Sequence, residues 1–317
     1  MSFDFDAAVI APFRMQPGLR RLAPGAAQLT LLPPGSRHQR EKLAVLSAYA
    51  DQALMVQPGF DARPALHALL EQAAREHAPA FTWDRELASA PQLGVAVRGT
   101  EVQPLAACSF GLGDEIARCL ATLPGAWRLT GLLCLAFAED FAIVDGERAT
   151  IPWLAVALPS HWAPEEKLGR HFAEVHAPVA DNDLLLRAGE HLMRMVSGPD
   201  CWERFVWNVT RHLRLHAHPA HTDAAPWPHD AFADDTAPQA WWRSERQTFI
   251  PLPALSQAVF TIAVDVEPLA QAIATPARAA RLHDAIASMS DAVLAYRSLT
   301  AVRAALLAWL SQRAAVV

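Results

Sequence analysis

Three histidines, one lysine and one arginine fall within residues 159–182, PSHWAPEEKLGRHFAEVHAPVADN, directly after an apolar run. Imidazole is a common ligand for transition metals near neutral pH, and fixed cations beside it suit an anionic partner. His161, His171 and His176, next to Lys167 and Arg170, therefore have the composition of a site for an anionic, metal-bearing cofactor such as a heme with its propionates. His176 is the strongest ligand candidate, because Pro178 prevents a regular central strand and holds the imidazole on a short, rigid connection. The plainer alternative is a half-buried histidine bonded to backbone. Lys167 and Arg170 lie three apart on an expected short helix, so both could reach a carboxylate; a solvated helix face is the alternative.

The second chemical segment is Trp241-Trp-Arg-Ser-Glu-Arg-Gln-Thr-Phe249. On an extended chain, alternation sets Arg243, Glu245 and Gln247 on one side and Ser244, Arg246 and Thr248 on the other. Glu245 could receive a protonated amine, and an arginine could donate hydrogen bonds to bound oxygen or to a propionate. A structural Arg–Glu pair at a sheet edge is the competing reading. His212, His216, His218 and His221 resemble a metal cluster, but no carboxylate or thiolate stands at matching spacing, which argues against a dedicated zinc site. Ser160 has no G-x-S-x-G context for a nucleophile.

The rest of the chain narrows the classes. Its 317 residues are 52% hydrophobic and 19% charged, with 33 acids against 27 bases and a net charge of −6. That balance suits a compact globular protein and gives no electrostatic footprint for nucleic acid or an anionic membrane. The acidic start, MSFDFDAAVIAPFRMQPG, does not read as a secretory signal. Cys108, Cys119, Cys134 and Cys201 contain no C-x-x-C pair, so a zinc ribbon, a cysteine-ligated cluster and a redox dithiol lack their signatures. Reduced thiols and a cytoplasmic location are expected. Gly111-Leu-Gly113 lacks the third glycine and the strand-to-helix context of a dinucleotide fingerprint.

These residues need elements to position them. Leu43, Leu46, Ala50 and Leu54 share one helical face, and Leu66, Leu69, Leu70 and Ala73 share another beyond the turn at Pro58-Gly59. Strands are expected at 132–137, 141–144, 153–158, 205–209, 248–252 and 258–264, the early ones joined by short turns as an antiparallel meander. Pro164 opens a short helix, and the Asp181-Asn182-Asp183 cluster caps a longer one that stops at Gly198-Pro199. Residues 216–240 form a long loop, a lid or an interface. Leu282, Ile286, Met289 and Val293 make a helical stripe, and Leu299, Val302, Leu306 and Leu310 make the last.

With these motifs in order, the chain resembles the heme-binding alpha subunit family of heme-dependent oxidative N-demethylases, whose members include dimethylamine monooxygenase heme subunits. The resemblance rests on Pro12 to Met15 followed by Gly18-Leu19-Arg20, on the stretch from Lys42, and on Pro159 to Val179. It continues through the arginine and tryptophan strand Arg204 to Val209 and the segment Arg243 to Ile262. One departure is visible: the family strand carries Asn-Trp after its arginine, whereas this chain has Val206-Trp207-Asn208.

The resemblance implies an α+β fold, a PAS-like antiparallel sheet core binding heme b, with N- and C-terminal helical additions. A single domain over 1–317 is expected, with a mainly helical region at 1–125, the sheet core at 126–265 and C-terminal helices at 266–317. The implied activity is oxidative N-demethylation of a small methylated secondary amine with O2, releasing formaldehyde. Electrons would come from a separate flavin and iron–sulfur reductase component, with a hetero-oligomer as one implied assembly and no nucleic acid or membrane partner. On this pattern His176 ligates the iron, while Lys167, Arg170, His161, Trp162 and Trp207 contact the cofactor. Glu245, with Arg243 or Arg246, takes the catalytic roles. A non-catalytic heme-binding PAS-like sensor or a scaffold subunit is the alternative.

Overall fold

The computed structural model describes residues 3–105, 114–233 and 239–315. Gly111, Gly113 and Cys108 lie outside the described residues. Two antiparallel sheets organise the chain. The strands are β1 (Arg20–Arg21), β2 (Leu54–Val56), β3 (Thr82–Trp83), β4 (Leu87–Ala90), β5 (Val95–Arg98), β6 (Glu101–Pro104), β7 (Glu139–Asp145), β8 (Thr150–Ala155), β9 (Trp202–Thr210), β10 (Trp241–Leu252) and β11 (Gln257–Pro268). The large sheet has seven strands in the order β1-β9-β10-β11-β7-β8-β2, and the small one has four in the order β3-β4-β5-β6. Every ladder is antiparallel.

The helices are α1 (Phe5–Ala8), α2 (Arg37–Ala48), α3 (Ala50–Ala53), α4 (Arg63–His77), α5 (Glu115–Thr122), α6 (Arg128–Ala136), α7 (Phe172–His176), α8 (Asp183–Val196), α9 (Leu269–Ala272), α10 (Pro276–Ala287), α11 (Asp291–Tyr296) and α12 (Arg303–Ala314). The chain is thus mixed α+β. Among the described residues no helix is long and apolar enough to cross a membrane.

The β7–β8 meander forms where Asp145 closes an Asx turn, its Oδ1 accepting from the backbone N–H of Glu147 at 3.0 Å and of Arg148 at 2.9 Å. The long β10–β11 hairpin turns at Ser256, which sits in the left-handed region at φ 51°. Four elements differ from the sequence reading. The run Leu132 to Phe137, expected as a strand, lies mostly in α6; Leu132 to Leu135 are fully buried on all sides, so no periodicity marks them as helical. Leu54 does not extend a helix but starts β2, which pairs with β8. The 282–293 stripe divides into α10 and α11, because the Ser290 side chain accepts from Val293 N–H and caps a new helix. The first 125 residues also contain the small sheet, whose β4 sequence Leu-Ala-Ser-Ala gives almost no alternation.

The main core joins α2, α4, α6, the small sheet and part of the large sheet. A second core packs Trp207 and Trp242 against Leu282, Ile286, Leu306 and Leu310 of the C-terminal helices. Lys42 of α2 is fully buried and lies 3.1 Å from Asp140 Oδ1, in an angle that makes an ion pair and not a hydrogen bond. Its Nζ also donates to the carbonyls of Phe137 and Glu139, while Asp140 Oδ2 accepts from Leu158 N–H at 2.6 Å. This buried pair ties α2 to β7 and to the end of β8, the edge from which the 159–182 segment departs.

Candidate functional site

A cavity of about 440 Å³ opens beside the large sheet, bordered by α7, α8 and the N-terminal strap through Met15, Gln16, Pro17 and Leu19. Most of its wall is apolar, including Val144, Ile151, Leu154, Phe249, Phe260 and Leu192. A mostly apolar pocket with a few convergent polar groups is the usual form of a ligand site. Here the polar groups come from the two segments singled out in the sequence and from β9.

His176 is the last residue of α7, a helix of a single turn. His171 caps that helix with its side chain, accepting from Ala173 N–H, and Glu174 reaches back to the His171 N–H at 2.9 Å. His171 is therefore a capping residue. His176 Nδ1 lies 2.8 Å from the Phe172 carbonyl, which fixes the proton on that nitrogen and leaves Nε2 without a hydrogen-bond partner on the cavity wall. The Phe172 ring stacks on the imidazole at 4.0 Å. Burial pushes the His176 pKa down to about 4, against the Phe172 carbonyl and with the aid of Arg204 and Lys167. The ring is neutral at physiological pH, as a metal ligand must be.

The β9–β10 ladder also borders the cavity, setting Arg204 against Gln247, Val206 against Glu245 and Asn208 against Arg243. All six border the cavity. Glu245 Oε2 accepts from Gln247 Nε2 at 2.6 Å. Arg204 has no hydrogen bond, its Nε is enclosed, and burial holds its pKa below the ordinary arginine value while Glu245 opposes the shift. An unpaired guanidinium on a cavity wall is costly unless a ligand completes it. Arg243 is different. Its guanidinium donates to Ser160 Oγ at 2.8 Å and to the carbonyls of Pro159 (3.0 Å), Arg214 (3.0 Å) and Leu215 (2.7 Å), so it staples the end of the β8 loop to the β9–β10 connection.

Arg246 faces the other side of the sheet, as alternation requires. It donates to Glu203 Oε2 and to the Ala27 carbonyl and does not border the cavity. Lys167 borders the cavity, but Arg170 does not: Gly169, at φ 70°, turns the chain between them, and Arg170 is exposed beside Glu174 at 3.8 Å. The expected shared helical face is absent, because the helix is only the 3-10 turn Pro164–Glu166.

Trp162 and His161 both border the cavity. His161 occupies the left-handed region at φ 63°. Its pKa is pushed down to about 4 by burial, then by Arg243, His212 and Arg211. His161 nonetheless keeps exposed surface. Trp207 borders the cavity, donates from Nε1 to the Ala8 carbonyl at 3.0 Å and stacks on Trp242 at 5.1 Å. Arg297, which also borders the cavity, lies between the rings of Phe13 and Trp207 at 4.7 and 4.8 Å.

Arg204, Asn208 and Arg297 were not singled out as site residues from the sequence. For the first two the signal was available: Arg204, Val206 and Asn208 alternate on one face of a strand. His216 and His221 pack on Tyr49, and His218 packs on both of them, with His218 against Glu165 and His221 against Gln52. No group of three or more metal-ligating side chains converges among the described residues.

The donor set fits a heme. A porphyrin brings four nitrogens of its own and asks the protein for one axial ligand, which a single neutral imidazole with a free Nε2 supplies. The mostly apolar walls suit the macrocycle, and Lys167 and Arg204 on the cavity border would be available to its propionates or another anion. A family model described as Haem-dependent oxidative N-demethylase, alpha subunit-like, matches residues 121–307. The match runs from α6 into the first part of α12 and includes every residue that borders the cavity except those of the N-terminal strap.

Proposed function

The chain belongs to the haem-dependent oxidative N-demethylase, alpha subunit-like family, and from that premise we propose that it is a heme monooxygenase that demethylates a small methylated secondary amine such as dimethylamine. Bound heme b would supply the oxidation, in which O2, two electrons and two protons convert an N-methyl group to formaldehyde and leave water and the smaller amine. The protein's residues hold and orient. His176 would hold the heme iron through its free Nε2. Lys167 and, through the cavity wall, Arg204 provide positive charge for anionic groups, while Trp162, His161 and Trp207 complete the enclosure.

Glu245 accepts an N–H of the protonated amine, and Gln247 fixes the carboxylate in place. Arg243 acts by positioning, since its donors hold the loop that carries His161 and Trp162. Arg170 and Arg246 take no part in this reading, because neither reaches the cavity. The unit is a PAS-like heme domain spanning 1–317, working in the cytoplasm with a flavin and iron–sulfur reductase as electron donor.

The observation that carries the proposal is that one mostly apolar cavity is bordered by both a neutral histidine with a free Nε2 and a buried glutamate. Its test is the absorption spectrum of the heme-loaded protein, oxidised and dithionite-reduced, with and without dimethylamine. A Soret band that shifts with amine in the wild type and not in Glu245→Gln is expected. A heme band indifferent to amines would favour a sensor, and the absence of any heme uptake would overturn both.

A further inference from the structure

We infer that Asn208 reads a second N–H of the bound amine, so that this chain selects ammonium ions carrying at least two N–H donors over trialkylated ones. The inference rests on the amine-oxidising reading above and adds the residue that sets its selectivity.

The cavity face of the β9–β10 ladder offers few unengaged acceptors. Gln247 is committed to Glu245, and Arg243 to Ser160 and backbone carbonyls. Arg204 is a cation and repels an ammonium. That leaves the free oxygen of Glu245 and the Asn208 amide. The Asn208 side chain makes no hydrogen bond among the described residues, and its Oδ1 is enclosed and unpartnered. An unsatisfied buried acceptor is a liability that a ligand donor removes. Because no bond holds the amide in one orientation, rotation about χ2 can turn its oxygen to the cavity at little cost.

The register supplies the geometry. Glu245 faces Val206, and Asn208 stands directly opposite Arg243, so Glu245 and Asn208 are diagonal neighbours across the ladder. Diagonal residues on one face are roughly 7–8 Å apart, close enough for two polar side chains to converge on one small ion. Two N–H bonds of an ammonium diverge tetrahedrally and need acceptors on the order of 5 Å apart at ordinary hydrogen-bond lengths. Val206 lies between the two acceptors on β9 and gives an N-methyl group an apolar contact. A trialkylammonium has one N–H, which Glu245 takes, and it then presents a methyl to the Asn208 amide. Sites built around a buried hydrogen bond discriminate strongly against analogues that cannot make it.

The test is calorimetric titration of the heme-loaded full chain, at one pH and ionic strength, with dimethylammonium, trimethylammonium and tetramethylammonium chlorides. Wild type is expected to prefer dimethylammonium over trimethylammonium by about 10-fold or more, the scale of one hydrogen bond to a charged donor. Asn208→Leu and Asn208→Ala should each lose that preference, weakening dimethylammonium by about 10-fold and leaving trimethylammonium within about 2-fold. Either variant suffices if it retains its Soret band. Equal weakening of both amines, or none in a folded variant, overturns the role of Asn208 while amine binding stands. If no amine binds wild type, or if Glu245→Gln leaves every affinity unchanged, the amine reading falls and this inference with it.

Discussion

His176 Nδ1 sits 2.8 Å from the carbonyl oxygen of Phe172, one helical turn behind it on a helix only five residues long. That bond sets the tautomer, so the single nitrogen left to bind a metal is Nε2. His176→Ala is expected to fold, since the residue is only partly buried and ends its helix, but to hold heme at least about 100-fold more weakly. Heme titration followed at the Soret band measures this, with far-ultraviolet circular dichroism as the control for folding. An unchanged heme affinity would remove His176 from the ligand role.

Arg204 predicts a conflict between stability and function. Its guanidinium makes no hydrogen bond among the described residues, and burial disfavours its charge while Glu245 opposes that shift. Arg204→Met should therefore leave the heme-free protein at least as stable, by up to about 1–2 kcal/mol in denaturant titration, because it replaces an unpaired cation with an apolar chain of similar length. Turnover should fall by about 100-fold if the cation completes the site. Marked destabilisation of the heme-free form would show that Arg204 is a structural residue.

Much of this site was legible in β10. A strand that is apolar at its ends yet carries Arg243, Glu245 and Gln247 at alternate positions must bury polar groups toward something polar, and the cavity is there. The same alternation sets Arg246 on the reverse face, where Glu203 receives it. Lys167 and Arg170 were misleading because three-residue spacing implies a shared face only on a helix, and Gly169 in the left-handed region breaks that rule. The run 132–137 carried no period to read, since a segment buried on every side is apolar whether it is helix or strand. Arg204 shares an alternating face of β9 with Val206 and Asn208, but its lack of a hydrogen bond shows only in the packing.

Lys42 and Asp140 form a fully buried pair at 3.1 Å that links α2 to β7. Removing one member strands the other in an apolar interior. Lys42→Met is expected to lower stability by about 3–5 kcal/mol, and the double variant Lys42→Met with Asp140→Asn should recover part of that loss. Urea denaturation of the wild type, both single variants and the double variant measures the coupling. Additive losses would show that the two charges do not act as a pair.

Glu139 gives the clearest pH dependence. It is almost fully buried, and desolvation raises its pKa above the ordinary 4.5, against the Thr30 N–H that its Oε2 accepts at 2.9 Å. The folded chain therefore holds a proton that the unfolded chain releases, and stability declines as pH rises from about 4.5 through the raised value. Glu139→Gln keeps an acceptor for Thr30 and cannot ionise. It should stabilise the protein at neutral pH by on the order of 1 kcal/mol and lose that advantage below about pH 4.5. A gain that is the same at every pH would assign the effect to packing.

Gly189 tests whether α8 fixes the helix that carries His176. Glycine inside a helix is ordinarily a weakness, and alanine there gains about 0.5–1 kcal/mol. At this position a Cβ would stand 2.5 Å from Phe172 Cδ1 and 3.0 Å from Cε1, and the Phe172 ring is the one stacked on His176. The ring cannot withdraw without moving the imidazole or the helix that holds both. Gly189→Ala should thus invert the usual sign, costing about 1–3 kcal/mol by overpacking and shifting the Soret maximum of the heme-loaded protein. Adding Phe172→Leu should relieve most of the strain and restore the stability that alanine normally brings. A stabilised Gly189→Ala single variant with an unchanged spectrum would mean that α7 does not rest on α8, and that His176 is positioned by its own helix turn alone.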